Sequence, residues 1–167
     1  IMGDRIRVDM GAPSLDTNDW LYEDERVVNK KIEVNERYVN ITLVSMGNPH
    51  CIVFVDDLDE LDLSSIGPHF ENHVMFPNRI NTEFVKLLNE REVVARVWER
   101  GSGETLACGT GASAIVVASV LSGKTARKIT VHLKGGDLEV EWADDNHVYM
   151  TGSADFVFQG NIDLSLL

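Results

Sequence analysis

Cysteine is nearly absent from these 167 residues, which hold only Cys51 and Cys108. Two thiols so far apart give neither a disulfide framework nor a CxxC metal pair, so a reducing, cytoplasmic setting is expected. No run of about 18 apolar residues occurs, which excludes an obvious transmembrane helix. The opening segment IMGDRIRVDMG lacks the pattern of a secretory signal. Basic residues are outnumbered, with 15 Lys and Arg against 27 Asp and Glu. The resulting net charge of −12 argues against nucleic acid and against anionic membranes as partners, because phosphate binding needs clustered cations. Internal repeats, low-complexity segments and clear linkers are lacking too. The length fits one domain with a substantial core.

What is present is mostly strand pattern. Arg5 to Met10 alternates. Lys31 to Val34 and Tyr38 to Val44 are β-branched runs that predict a hairpin through Asn35 and Glu36. Cys51 to Val55 reads as a short apolar strand, and Asp56 to Asp62 as an acidic loop. Ser64 is the expected cap of a short helix over Ile66 to His73. Strands are predicted over Asn81 to Leu88, Glu92 to Trp98, Arg127 to Leu133, Asp137 to Trp142, Val148 to Thr151 and Phe156 to Phe158. Gly109 to Leu121 is the one convincing helix, stopped by Gly123. It is apolar nearly all round and should be buried. The expectation is an α+β domain, rich in strands and wrapped around one central helix.

The segment ERGSGETLACGTGA (Glu99 to Ala112) carries the sharpest chemical signal. It places the Cys108 thiol at the first turn of the predicted helix, where unpaired amides and the helix dipole favour negative charge. A lowered thiol pKa is expected there. The amides of Gly109, Thr110 and Gly111 would cradle a carboxylate or a phosphate. A thiolate beside such a cradle suits proton abstraction next to that carboxylate. A lone cysteine can equally be a small buried hydrophobe.

Gly47-Asn48-Pro49-His50 forms a rigid corner after a strand, because proline fixes its own φ and pushes Asn48 out of the α region. Such a corner can hold the Asn48 amide against an amino acid, with His50 as a polar partner behind it; a plain turn is the alternative. Asn78 and Asn81 flank Arg79 in FPNRINTEF. Glu99 and Arg100 end a predicted strand, and adjacent strand residues face opposite ways. Both can reach one ligand only if the strand ends or bulges there, or if one acts through its backbone. Arg100 is a natural bidentate carboxylate binder. No Walker lysine occurs. His69 and His73 lie four apart without an evident third ligand, so no metal is expected.

Taken together, GNPH (Gly47 to His50), PNRINTEF (Pro77 to Phe84) and ERGSGETLACGTGA resemble diaminopimelate epimerases in order and spacing. The similarity runs from VDMGAP (Val8 to Pro13) to FVFQGNIDL (Phe156 to Leu164). That family has two pseudo-symmetric halves, each a β-rich, barrel-like layer around a central helix, with one catalytic cysteine per half. The resemblance implies that residues 1–157 are the C-terminal domain, and that 158–167 are a tail returning to an N-terminal half which lies outside this chain. It implies interconversion of LL- and meso-diaminopimelate, in lysine and cell-wall biosynthesis, without pyridoxal phosphate or any other cofactor. One thiolate removes the α-proton and an opposite thiol returns one to the other face.

Carried over by position, Cys108 is the acid/base of this half, with His50 and Glu99 tuning proton transfer. Asn48, Asn81, Glu99 and Arg100 hold the substrate, and Gly109 and Thr110 bind its reacting carboxylate through backbone N–H groups. By itself the chain would then be inactive, and an inter-half surface left bare would favour a homodimer. A proline or hydroxyproline racemase of the same fold, a non-catalytic binding domain and a Cys108–His50 hydrolase are the competing readings.

Overall fold

The computed structural model describes residues 5–16, 19–21 and 26–163. The alternating segments become one mixed ten-stranded sheet. It begins with β1 (Arg5–Asp9), the hairpin β2 (Lys30–Val34) and β3 (Arg37–Ser45), and β4 (Pro49–Phe54). Helix α1 (Leu63–Glu71) precedes β5 (Asn81–Asn89), β6 (Glu92–Glu99) and the short β7 (Gly103–Thr105). Helix α2 (Gly109–Leu121) leads into β8 (Lys128–Leu133), β9 (Gly136–Trp142) and β10 (Val148–Ser153). The strand order is β1-β10-β9-β8-β6-β5-β4-β3-β2, with β7 on β6. Asn35 and Glu36 both take positive φ, 50° and 61°, as a tight hairpin matched to strand twist requires.

Two parallel pairs organise the molecule. β4 pairs with β5 across α1, and β6 pairs with β8 across α2. The two helices lie against opposite faces of the sheet. Val44, Ile52, Val85, Val93, Ala95 and Val97 pack with α2. Cys51, Val53 and Phe84 pack with Leu63 and Phe70 of α1. The sheet curls far enough for α2 to touch β3, β4, β5, β8, β9 and β10. Gly111 to Ser119 are consequently all buried. The α+β expectation, with strands around one central helix, is met; α1 is a second, peripheral helix.

Three local expectations need correction. The first helix runs from Leu63 to Glu71 and its cap is Asp62, whose carboxylate accepts from the Ser65 N–H. Ser64 instead donates its hydroxyl to Asp62 at 2.6 Å, because a carboxylate outcompetes a hydroxyl as acceptor at a helix N-terminus. β7 was hidden in the sequence, since Gly-Glu-Thr carries no hydrophobic pattern. Phe156 to Phe158 form no strand, and all three side chains are exposed. Of the segment expected to return to another half, 164–167 lie outside the described residues. Gly123 does end α2, with φ +66° and its N–H on the Val120 carbonyl.

The β6–β7 pairing delivers the chain to α2, and an ion network holds it. Arg96 grips Glu104 with two bonds of 2.8 and 3.1 Å, and Lys134 adds a third at 2.6 Å. Another Arg96 nitrogen, NH1, donates to the Leu58 and Leu61 carbonyls, tying the acidic loop to β6. These cations pull the Glu104 carboxyl from its ordinary 4.5 to about 2, chiefly through the Arg96 hydrogen bonds. A carboxyl depressed in the folded state contributes stability above its unfolded pKa and loses it as pH falls through the folded one. The window here is pH 4.5 down to about 2. Because the pair is partly exposed and screened, the contribution is about 1 kcal/mol. Urea titrations should show Glu104→Gln losing that much at pH 6 and almost nothing at pH 2.

Candidate active site

Strand parity assembles the site. Side chains two apart share a face, so His50 looks toward α2 together with Ile52, while Cys51 drops into the α1 core with Val53. The parallel register sets His50 beside Asn81, and Glu83, two residues on, follows on the same face. His50 and Glu83 meet the start of α2. Cys108 is the N-cap of that helix, with extended backbone (φ −136°, ψ 115°), and its sulfur accepts from the Gly111 N–H at 3.3 Å. The Thr110 hydroxyl lies 3.4 Å from the sulfur. The amides of Gly109 and Thr110 stand in the first turn, where no intrahelical acceptor exists.

The thiol does not behave as expected from the helix terminus alone. Burial pushes the Cys108 thiol above its ordinary 9.0, and the charges of Glu83 and Glu99 push the same way. The Thr110 hydroxyl and the Gly111 N–H pull it down without prevailing. The net shift is upward, opposite to the lowered pKa expected from the helix terminus. Cys51 is fully buried, and desolvation holds its thiol well above 9.0. It packs in the α1 core with Val53 and Phe84.

The corner before β4 is rigid, as its proline required, with Gly47 at φ +90°. His50 is sealed from solvent. Its Nδ1 lies 2.7 Å from Glu83 Oε1, and its Nε2 lies 3.2 Å from the Asn48 amide oxygen. On the other side of the site β6 ends with Glu99, still paired with Gly103 of β7, and Arg100 is the first residue released from strand alternation. The Arg100 N–H donates to Asn81 Oδ1 at 3.0 Å, and its guanidinium donates to the Asn78 carbonyl at 3.1 Å. The Thr105 hydroxyl donates to Glu99 Oε1 at 2.6 Å. Asn48 and His50 are thus brought to Cys108 and the first turn of α2 through Glu83, Asn81 and Arg100 are joined to each other, and His69 and His73 stand apart. His73 already spends Nε2 on the Glu33 carbonyl and Nδ1 on the Met75 N–H. The ligand atoms of His50, Glu83 and Cys108 lie within 4.8 Å of one another, but the His50–Glu83 hydrogen bond already joins two of them.

Two carboxylates were missed in the sequence. Glu83 is one. The other is Glu71, at the end of α1, which accepts from Trp98 Nε1 at 2.7 Å, from the Gly101 N–H at 2.8 Å and from Arg79 NH1 at 2.9 Å. It is buried and pins the turn that carries Glu99 and Arg100. Gly67, one turn earlier in α1, has no room for a side chain, because a Cβ would stand 2.2 Å from the Trp98 indole. Removing Glu71 orphans the indole and amide donors beneath the turn. We expect Glu71→Ala to cost about 2–3 kcal/mol in urea unfolding, with Glu71→Gln recovering part of it.

With this geometry in place, the relatives can be compared. The diaminopimelate epimerase family profile matches residues 42–157. The chain belongs to the diaminopimelate epimerase family. It is 52% identical over 165 residues to the diaminopimelate epimerase of Desulfitobacterium hafniense, covering 96% of this chain and 58% of that protein. It is 51% identical over 162 residues to that of Methanococcus maripaludis strain C6, covering 95% and 58%. The chain thus spans somewhat over half the length of the curated relatives it matches. Among solved structures, a probable proline racemase from Agrobacterium radiobacter K84 superposes with a TM-score of 0.64 at 13% identity, covering 96% of this chain and 54% of that one. A hydroxyproline epimerase from Agrobacterium vitis gives 0.62 at 13%, covering 90% and 50%. At such identity these two establish a shared fold and nothing more.

Proposed function

We propose that this chain supplies one half of the active site of a cytoplasmic diaminopimelate epimerase, which inverts an α-carbon by two-cysteine acid/base chemistry without pyridoxal phosphate. The observation that carries the reading is Cys108, capping α2 at its first-turn amides with His50 and Glu83 within 4.8 Å. A carbanion α to a carboxylate is costly, and oriented N–H groups in a water-poor cleft are the means of stabilising the charge that moves onto that carboxylate. Gly109 and Thr110 are placed to bind the reacting carboxylate. Asn48, Asn81, Glu99 and Arg100 hold the substrate, chiefly its distal amino-acid head. His50 and Glu99 tune proton transfer. Cys108 is the acid/base of this half.

The second cysteine belongs to the remaining length found in the relatives. On this reading residues 1–157 belong to the C-terminal domain, and 158–167 are a tail that returns to that other half. Exposed Phe156, Val157, Phe158 and Ile162, at 83%, 85%, 80% and 71%, support this, because a row of bare apolar side chains is a surface awaiting a partner. Assay of the full-length protein with LL-diaminopimelate and with L-proline separates this reading from the proline racemase one. Conversion of the first is expected. Racemisation of proline with no turnover of diaminopimelate would overturn the proposal.

A further inference from the structure

We propose that Glu83 is a positioning residue of this site: its buried carboxylate fixes the ring of His50 and keeps a proton on Nδ1, leaving Nε2 to face the Asn48 amide. The inference deepens the epimerase reading and rests on it for its catalytic consequence. Glu83 sits in β5 between Thr82 and Phe84, with no solvent exposure. A valine would be the inexpensive choice at such a position, since an ionised carboxylate without water or partners is strongly disfavoured. The carboxylate makes a short hydrogen bond, 2.7 Å to His50 Nδ1, and its other oxygen is buried without a hydrogen-bond partner among the described residues. The helix is built to admit it: a Cβ on Gly111 would stand 2.6 Å from Glu83 Oε1. Gly111 is therefore glycine for the sake of the carboxylate as well as of the Cys108 sulfur that its N–H contacts.

The proton inventory follows from these contacts. With Glu83 ionised, Nδ1–H donates to Oε1. Nε2 then meets the Asn48 amide, which can offer its oxygen to an Nε2–H or turn to offer its NH2 to a bare nitrogen. Asn48 thus accommodates both states of Nε2, while Glu83 compensates the positive charge when both nitrogens are protonated. This is the logic by which a buried carboxylate sets the tautomer of a catalytic histidine. The Cys108 sulfur lies within 4.8 Å of the pair, so the same carboxylate also helps to hold that group as a thiol.

The test uses the full-length protein, with 15N in its histidine rings. In the wild type the neutral His50 ring should carry its proton on Nδ1. In Glu83→Gln the carboxamide can donate to Nδ1, and the proton should move to Nε2. The same variant should lose about 100-fold in kcat with KM within about threefold of wild type, and Glu83→Asp should recover part of the loss. Circular dichroism checks that each variant is folded. Wild-type kcat in Glu83→Gln, or a wild-type ring protonated only on Nε2, would overturn the proposal. If the wild type does not turn over diaminopimelate, the epimerase reading has failed, and the ring proton still decides whether Glu83 sets the tautomer of His50.

Discussion

Replacing Cys108 by serine should abolish epimerisation in the full-length enzyme, with a loss of at least about 1,000-fold in kcat. The fold should survive, since serine caps helices well and its hydroxyl can accept the Gly111 N–H that now meets sulfur. What is lost is an atom able to donate and accept a proton near neutral pH, because an alcohol ionises far above any thiol. The loss should also be directional. With the opposite cysteine intact, one stereoisomer should still exchange its α-proton with solvent, while inversion stops. Circular dichroism checks the fold, a coupled assay the inversion, and NMR in D2O the residual exchange. A serine variant retaining a tenth of wild-type kcat would remove Cys108 from the chemistry.

The second large effect concerns the 167-residue chain by itself. It should show no inversion of diaminopimelate, because one thiol addresses only one face of the α-carbon. If the site is shared as proposed, it should also be open to water in this chain alone, and amide–carboxylate contacts weaken in water. Adding the separately produced remaining half should restore activity in proportion to complex formed. The exposed Phe156 to Phe158 should become protected in hydrogen exchange at the same time. Turnover by the chain alone at a rate comparable to the full-length enzyme would contradict a shared site.

Much of this was legible in the sequence, for identifiable reasons. Helix α2 is apolar nearly all round, and at 13 residues such a pattern reads as a buried central helix. The GNPH corner and the cysteine cradle are local devices whose geometry follows from proline, glycine and a helix start. The misreadings came from partners distant in sequence. The helix amides did argue for a lowered Cys108 pKa, but burial and the carboxylates of β5 and the end of β6 reversed the sign. Glu83 passed as an ordinary polar strand residue, although its parity with Asn81 placed it on the face toward α2. Glu71 gave no sign at all, since its three donors come from β6, the turn after it and the segment after α1. The Phe156 to Phe158 run has strand composition, yet no described strand pairs with it.

The most direct test of the central claim is the fate of the α-proton. Full-length enzyme should be incubated with LL-diaminopimelate in D2O, and the meso product from the first turnovers analysed by NMR and mass spectrometry. Two cysteines on opposite faces predict one solvent deuterium at the inverted carbon and none at the other, with no inversion in Cys108→Ser. A product that keeps its original α-proton at the inverted centre, or inversion at wild-type rate without the Cys108 thiol, would contradict the account.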